Sequence, residues 1–385
     1  MAFKVADVFA GAGGFSLGFA MAGFEVVAAV EQDLWASQTI MANHEVPRMA
    51  MSDIRELDDE KLSWVLGKPD VLIGGPPCQS FSVCNSRRRD EEDERDYLFL
   101  HWVRAVRLAR PKIAVMENVP AFWNKKLADG ERAGTRLVAE LCGLGYGVSW
   151  AILDAADFGV PQHRRRLFVL ADRCGAERQL VGWPKAGLLP PPTVMNAIDD
   201  LPVVEAGGGA PEMAYDRPAT NPYQNMMRGG VDLLRNHTAM RHTRRVVERF
   251  KAMGAGEGPW DVEDENLRPK KRGTGAVSTT EYKQTSRRLH GDRPAPTIPA
   301  SFYTNFVHPV QHRNITPREG ARLMSFPDSY VFKGEPTVLS RQLSARRGLD
   351  HHLHLSQYQQ IGNAVCPIVA AAVALEVGAA LARSS

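Results

Sequence analysis

Short apolar runs rich in Val, Ile and Ala recur along the first half of the chain, each followed by a longer stretch with helical spacing. FKVADVF gives way to a helix from about Phe15, and EVVAAVE precedes DLWASQTIMANH. DVLIGG and KIAVMENV continue the series, the second arriving after the helical YLFLHWVRAVRLA; VSWAILD and RLFVLAD follow a helix in ERAGTRLVAELCGLGY. Near-continuous apolar strands alternating with helices predict βαβ units, an α/β fold and a doubly wound, mostly parallel sheet. The alternation stops near Asp172.

From Trp183 to about Tyr303 the text turns to Pro, Gly and Arg: PPPTV, EAGGGAPE, RPKKRGTG, DRPAPTIPA. Periodicity is weak there, which predicts a smaller, loop-rich domain. One stretch inside it, HTAMRHTRRVVERFKAMGAGEG, is helical in character and ends at glycines. Beyond Asn305 α/β character resumes and closes on an apolar C-terminal helix, so the second domain reads as an insertion: residues 1–182 and 306–385 for the larger domain, 183–305 for the smaller. The polyampholyte RRRDEEDER, residues 87–95, reads as a solvated loop.

A chain of 385 residues can bury the core of an enzyme. The five cysteines, at 78, 84, 142, 174 and 366, are odd in number and form no CxxC pair. That argues against a disulfide framework and a zinc ribbon and fits a reducing, cytoplasmic setting. MAFKVADVFAGAGG lacks the basic start of a signal peptide. The apolar CPIVAAAVALEVGAALA is short for a membrane span and carries Glu376, which favours a helix packed on a sheet. Net charge is only +3, yet residues 217–318 hold 18 Lys/Arg against nine Asp/Glu, so the remainder of the chain is net acidic. That region could face a polyanion; an ordinary basic surface would look the same.

DVFAGAGGFSLG ends the first strand with glycines at 11, 13, 14 and 18, a turn that lets backbone approach a ligand and aims a helix N-terminus at it. Glu31, ending the second strand, can accept from ribose hydroxyls, and Asp53, after the third short run, can reach an adenine amino group. A nicotinamide cofactor stays open on these residues alone. In GGPPCQSFS, prolines 76 and 77 fix φ and aim Cys78 out of the fourth strand in a set direction. KIAVMENV delivers Glu117 and Asn118 at the end of the fifth, so thiol and carboxyl would flank one crevice. In VPQHRRRLFVLAD, Gln162, Arg164 and Arg166 alternate and are expected on one face of an extended strand. Paired arginine donors there suit a carbonyl oxygen or phosphate, though salt bridges would also explain them.

In this order, DVFAGAGG, Glu31, Asp53, GGPPCQSFS, MENV, PQHRRR, NITPREGARLMSFPDSY and QQIGNAVCP, the chain resembles the DNA cytosine-5 methyltransferases of bacterial restriction-modification type. The resemblance covers nearly the whole length. It implies S-adenosylmethionine as cofactor, S-adenosylhomocysteine as product, duplex DNA as substrate, no metal and a target recognition domain entered after PQHRRR. It further implies a cytoplasmic monomer with no membrane contact, and admits a cognate restriction endonuclease in the host. Carried over by motif, Cys78 is the nucleophile, Glu117 hydrogen bonds the ring, Arg164 holds its O2 and Arg166 orients. Phe9, Gly11, Gly13, Glu31, Asp53, Pro77, Leu98 and Asn363 contact cofactor, Asn363 from a segment beside the first glycine turn. Gln79, Ser80, Ser82 and Gln162 contact DNA.

The chemistry agrees with these assignments. Carbon 5 of cytosine is too poor a nucleophile for methyl transfer until a thiolate adds at carbon 6, and a ring inside a duplex must first be rotated out. An RNA cytosine methyltransferase on the same scaffold is a rival, disfavoured by the roughly 120 residues between the two catalytic parts. A dinucleotide oxidoreductase offers no use for Cys78, Glu117 and Arg164 together; a catalytically silent DNA-binding regulator would not need them intact. One departure is the lengthened VLSRQLSARRGLDHHLHLSQ, whose histidines at 351, 352 and 354 read as a surface loop more readily than as metal ligands. Cys84 is read as a bystander.

Overall fold

The computed structural model describes residues 2–77, 94–173, 181–271, 273–283, 285–350 and 353–384. They fall into two compact units: Met1–Phe158, Arg164–Leu188 and Val365–Ser385 form the first, Gly159–His163 and Leu189–Ala364 the second.

The first unit is built on seven strands, β1 (Lys4–Val8), β2 (Glu25–Val30), β3 (Arg48–Ala50), β4 (Val71–Gly74), β5 (Ile113–Asn118), β6 (Gly147–Asp154) and β7 (Arg165–Asp172), in the order 3-2-1-4-5-7-6. Pairings from β3 to β5 are parallel, and both pairings of β7 are antiparallel. The doubly wound, mostly parallel sheet read from the sequence is the one observed. Strand order reverses between β1 and β4, so the crevice at their C-terminal ends is where such a sheet takes a ligand.

β4 and β5 are buried along their whole length because both faces of the sheet are covered. One hydrophobic cluster joins the sheet to α3 (Asp59–Leu66), α4 (Leu98–Ala109) and α5 (Ala133–Gly143) around Leu62, Phe99, Trp102 and Leu137. Trp102 is fully buried; removing roughly 200 Å² of indole from water contributes about 5 kcal/mol before entropy is counted. α1 (Gly14–Met21) packs on β1, and Phe15 meets Phe168 of β7 edge-on at 6.1 Å between centroids. The C-terminal helix (Pro367–Ser384) lies so close to α1 that a Cβ on Gly18 would stand 2.3 Å from that of Ala370. Its buried face, Val369, Ala370, Val373, Ala374 and Val377, accounts for its apolar composition. α2 (Leu34–Asn43) starts at Asp33, whose carboxylate accepts from Ala36 N at 2.8 Å. α3 is a helix the apolar pattern did not suggest; Asp58 caps it and Gly67 ends it.

The second unit has little regular structure, as the Pro- and Gly-rich text predicts. It comprises α6 (Val194–Ile198), β8 (Gly209–Ala214), α7 (Pro222–Arg228), β9 (Leu233–Thr238), α8 (Arg244–Lys251), β10 (Arg287–Arg288), α9 (Phe302–Asn305), β11 (Phe306–Val307), α10 (Pro317–Leu323), α11 (Arg341–Arg346) and α12 (Gln357–Asn363). β8 pairs β9 antiparallel and β10 pairs β11 in parallel. α8 is the helix expected before the glycines. The segment from 306 to 364, assigned by its sequence to the larger domain, packs here instead.

Buried guanidiniums hold that segment in place. Arg322 bonds both carboxylate oxygens of Asp328, at 3.0 and 2.6 Å, and also Asp200, 122 residues earlier. Arg318 donates to the carbonyls of Arg235, Pro327 and Tyr330. Arg313 bonds Glu319 through two nitrogens at 2.8 and 2.7 Å, while Glu319 and Thr316 form the capping box of α10. Burial opposes the Glu319 charge, but Arg313 outweighs it and the carboxyl sits far below its usual range. Arg313 and Arg318, together with buried Arg288, belong to the basic surplus of residues 217–318 yet face no solvent.

Candidate active site

Phe9, Gly11 and Gly13 carry the chain from β1 into α1 with positive φ at all three, 59°, 55° and 76°. For Phe9 this is a strained conformation of the kind that clusters at functional sites. Glu31, just past β2, closes the turn: Oε2 accepts from Gly11 N and Oε1 from Asp33 N, both at 2.8 Å. Asp7, fully buried in β1, accepts from the Ser16 hydroxyl at 2.7 Å and from the Ser16 backbone, which lies in the first turn of α1. Burial pushes both carboxyls up to about 7, against these hydrogen bonds. Among the described residues neither Asp7 nor Glu31 makes a salt bridge.

The protein's own carboxylates therefore accept from N–H groups that a phosphate-binding turn leaves for its ligand. The turn is anionic. A pyrophosphate would meet two carboxyls, whereas a nucleoside carrying positive charge would be welcome, and Glu31 retains lone pairs for ribose hydroxyls. Asp53 is held by Arg55 through Nε at 3.1 and 3.0 Å and Nη2 at 2.6 Å; burial raises its pKa, but Arg55 more than offsets that and keeps it ionised. Leu98, the buried first residue of α4, and half-buried Pro77 lie on elements of the same unit.

Gly74 and Gly75 have steric reasons to be glycine. A Cβ on Gly74 would stand 2.5 Å from Val8 O and 2.7 Å from Trp102; on Gly75 it would stand 3.3 Å from Glu117 Oε2. Asn118 Nδ2 donates to Pro76 O at 3.1 Å, tying the end of β5 to the segment that leads to residue 78. Cys78, Gln79, Ser80, Ser82 and Cys84 lie outside the described residues, as do residues 87–93 of the polyampholyte and His351 and His352.

The reversed direction of β7 brings PQHRRR to MENV. Because β5 and β7 are antiparallel, with Asn118 opposite Leu167, the start of β7 lies beside the end of β5. Arg166 Nε reaches Glu117 Oε1 at 3.0 Å. Burial raises the Glu117 pKa, with Arg166 and then Arg164 pulling it back. Arg164 is buried, its guanidinium lowered to about 10 by burial and by Arg166, so it stays charged at neutral pH. Its backbone N–H bonds Asp154 at 2.9 Å. Arg164 and Arg166 line a small cavity with Leu153, Phe168 and Cys366. Cys366, in QQIGNAVCP, was not singled out by sequence; its buried thiol is pushed up to about 11 and stays protonated.

One expected placement differs. Gln162 does not share the face of the arginines: β7 begins at Arg165, and Gln162 is fully buried in the second unit, donating to Leu323 O at 2.7 Å and accepting from Ile298 N at 3.0 Å. Asn363 is an exposed residue of the second unit, beside Gly362, where a Cβ would stand 2.4 Å from the Pro299 backbone. His354 bonds Asp350 O, and among the described residues no cluster of three or more His, Cys, Asp or Glu could hold a metal.

A strand order of 3-2-1-4-5-7-6, a glycine turn closed by a carboxylate and a Glu–Arg pair behind a strand ending in GGPP define an α/β transferase site. Residues 3–379 match the model of the C-5 cytosine-specific DNA methylases, and the chain belongs to that family. It is a DNA cytosine-5-methyltransferase by that membership. The chain is 41% identical over 374 residues to the type II methyltransferase M.DdeI of Desulfomicrobium norvegicum, covering 96% of this chain and 87% of that one. It is 33% identical to M1.HphI of Haemophilus parahaemolyticus, covering 97% and 86%. Among solved structures, an E. coli prophage-encoded protein described as a DNA modification methyltransferase superposes with a TM-score of 0.74 over 99% of this chain and all of that one, at 24% identity, a likeness of fold.

Proposed function

We propose that the protein transfers a methyl group from S-adenosylmethionine to carbon 5 of a cytosine rotated out of duplex DNA, through a transient bond between Cys78 and carbon 6. The observation that carries this reading is the Glu117–Arg166 pair at 3.0 Å, set beside Gly75 at the head of the segment that delivers the thiol. S-adenosylmethionine, when bound, supplies an electrophilic methyl group. Phe9, Gly11, Gly13, Glu31, Asp53, Pro77, Leu98 and Asn363 are the residues proposed to hold it, and the anionic turn suits a cationic nucleoside better than a dinucleotide.

The Cys78 thiolate adds to carbon 6, and the displaced ring electrons are accommodated as Glu117 donates its proton at N3. Burial raises the Glu117 pKa and so favours its protonated form, and Arg166 fixes the carboxyl's direction. Arg164 holds the ring O2 through a charged, dry guanidinium. Once carbon 5 carries the methyl group, N3 returns its proton to Glu117, a base removes the carbon 5 proton, the carbon 6–sulfur bond breaks and the thiolate leaves.

Residues 183–305 are proposed as the target recognition domain, with exposed Arg241, Arg244, Lys270, Lys271 and Lys283 on phosphates. Gln79, Ser80 and Ser82 are proposed to meet the DNA beside the flipped base. The test is incubation of the purified chain with labelled S-adenosylmethionine and unmethylated DNA, followed by mapping of 5-methylcytosine. Label at carbon 5 within one short sequence, absent with Cys78→Ala, is expected; undiminished transfer by Cys78→Ala would overturn the mechanism.

A further inference from the structure

Asp154, the last residue of β6, is half-buried, and its sequence context did not single it out. Its Oδ1 accepts from the backbone N–H of Arg164 at 2.9 Å and from that of Ala156 at 3.3 Å. One residue on, the Ala155 N–H donates to the Arg164 carbonyl at 3.0 Å. Both main-chain groups of Arg164 are therefore held, the carbonyl by backbone and the N–H by a side chain. The paired ladder of β6 and β7 runs out at Asp154 opposite Arg165, and β7 itself starts at Arg165. Arg164 also opens the segment Arg164–Leu188 of the first unit. Regular strand pairing thus stops one residue short of Arg164, and the Asp154 carboxylate supplies the next bond in its place. Leu153 and Ala155, on either side of Asp154, line the same small cavity as Arg164 and Arg166. One turn of chain builds the wall of that cavity and fixes the backbone of an arginine within it.

Resting on the reading in which Arg164 holds the ring O2, we propose that Asp154 is a positioning residue for methyl transfer, setting the backbone from which Arg164 reaches the target ring. An arginine stem is long, so a small rotation of its main chain becomes a large displacement of its guanidinium. A shift of about 1 Å in a group that must meet a reacting ring can cost about 100-fold in rate. Because the bond goes to backbone, it asks of residue 154 an acceptor in the right place rather than a negative charge. Asparagine keeps an oxygen acceptor at that distance and drops the charge; glutamate keeps the charge and carries the acceptor one methylene further out. A residue that served through its charge would rank the two the other way.

The test is single-turnover transfer of labelled methyl at saturating DNA and S-adenosylmethionine, by the whole protein and by Asp154→Asn and Asp154→Glu. The affinity of each variant for both ligands and its thermal melt are measured alongside. We expect Asp154→Glu to lower the transfer rate about 10- to 100-fold and Asp154→Asn to stay within about threefold of the unaltered protein. Ligand affinities and melting temperature should hold in both, so that the loss falls on the rate alone. The reverse ranking would overturn the proposal and assign the role to charge. Equal effects of the two substitutions would overturn it as well. So would a glutamate variant whose rate, affinities and melting temperature fall together, since that is loss of fold rather than of aim. Failure of the unaltered protein to methylate carbon 5 would defeat the proposed function itself, an outcome distinct from all of these.

Discussion

Replacing Arg166 by methionine removes both its charge and its contact with Glu117 while keeping an unbranched, flexible stem. The Arg166 Nε to Glu117 Oε1 distance of 3.0 Å corresponds to about 5 kcal/mol of Coulomb attraction at an effective dielectric near 20. Arg166 and Glu117 side chains are 18% and 11% exposed, and Arg164 remains, so a third of that figure is the realistic effect. Without the cation the Glu117 pKa, already raised by burial, moves further up. If protonated Glu117 is the active form, methyl transfer declines as pH rises through its pKa, and Arg166→Met moves that basic limb up. The rate at pH 7 falls meanwhile, because the carboxyl loses the bond that aims it. Single-turnover transfer of labelled methyl from pH 5.5 to 9.5 reads both quantities. A basic limb that stays put or moves down would refute Glu117 as proton donor, whatever the rate at neutrality.

Two further substitutions test the scaffold. Arg322→Met leaves Asp328 and Asp200 without their shared cation and should destabilise the protein by about 3–5 kcal/mol in urea unfolding; a loss below about 1 kcal/mol would show the network to be dispensable. Gly74→Ala drives a methyl into Val8 O and Trp102 and should cost about 1–3 kcal/mol in thermal melts; an unchanged melting temperature would contradict the close approach.

The first unit was legible in the sequence because its central strands β1, β2, β4 and β5 are buried on both faces and so read as near-unbroken apolar runs, and because its site residues stand at strand ends where turn chemistry shows. Asp7, a lone charge inside such a run, was not read from the sequence, because its partner Ser16 lies on the next helix. The second unit was not legible past its composition. Arg322 to Asp200 spans 122 residues, and Arg318 to Asn236 spans 82; no local periodicity announces an ionic core. For the same reason TPRE reads as a functional motif but also works as a capping box with a buried ion pair. Gln162 illustrates the opposite failure: alternation with Arg164 and Arg166 suggested a shared face, and the strand begins too late for it.

The most direct measurement is to offer the protein duplex DNA carrying 5-fluorocytosine at the methylated position, together with S-adenosylmethionine. Fluorine cannot leave as a proton does, so the sulfur–carbon bond should persist. The account predicts a denaturation-resistant protein–DNA complex with the modified base on the peptide containing Cys78. No adduct, or one on any other residue, would contradict it.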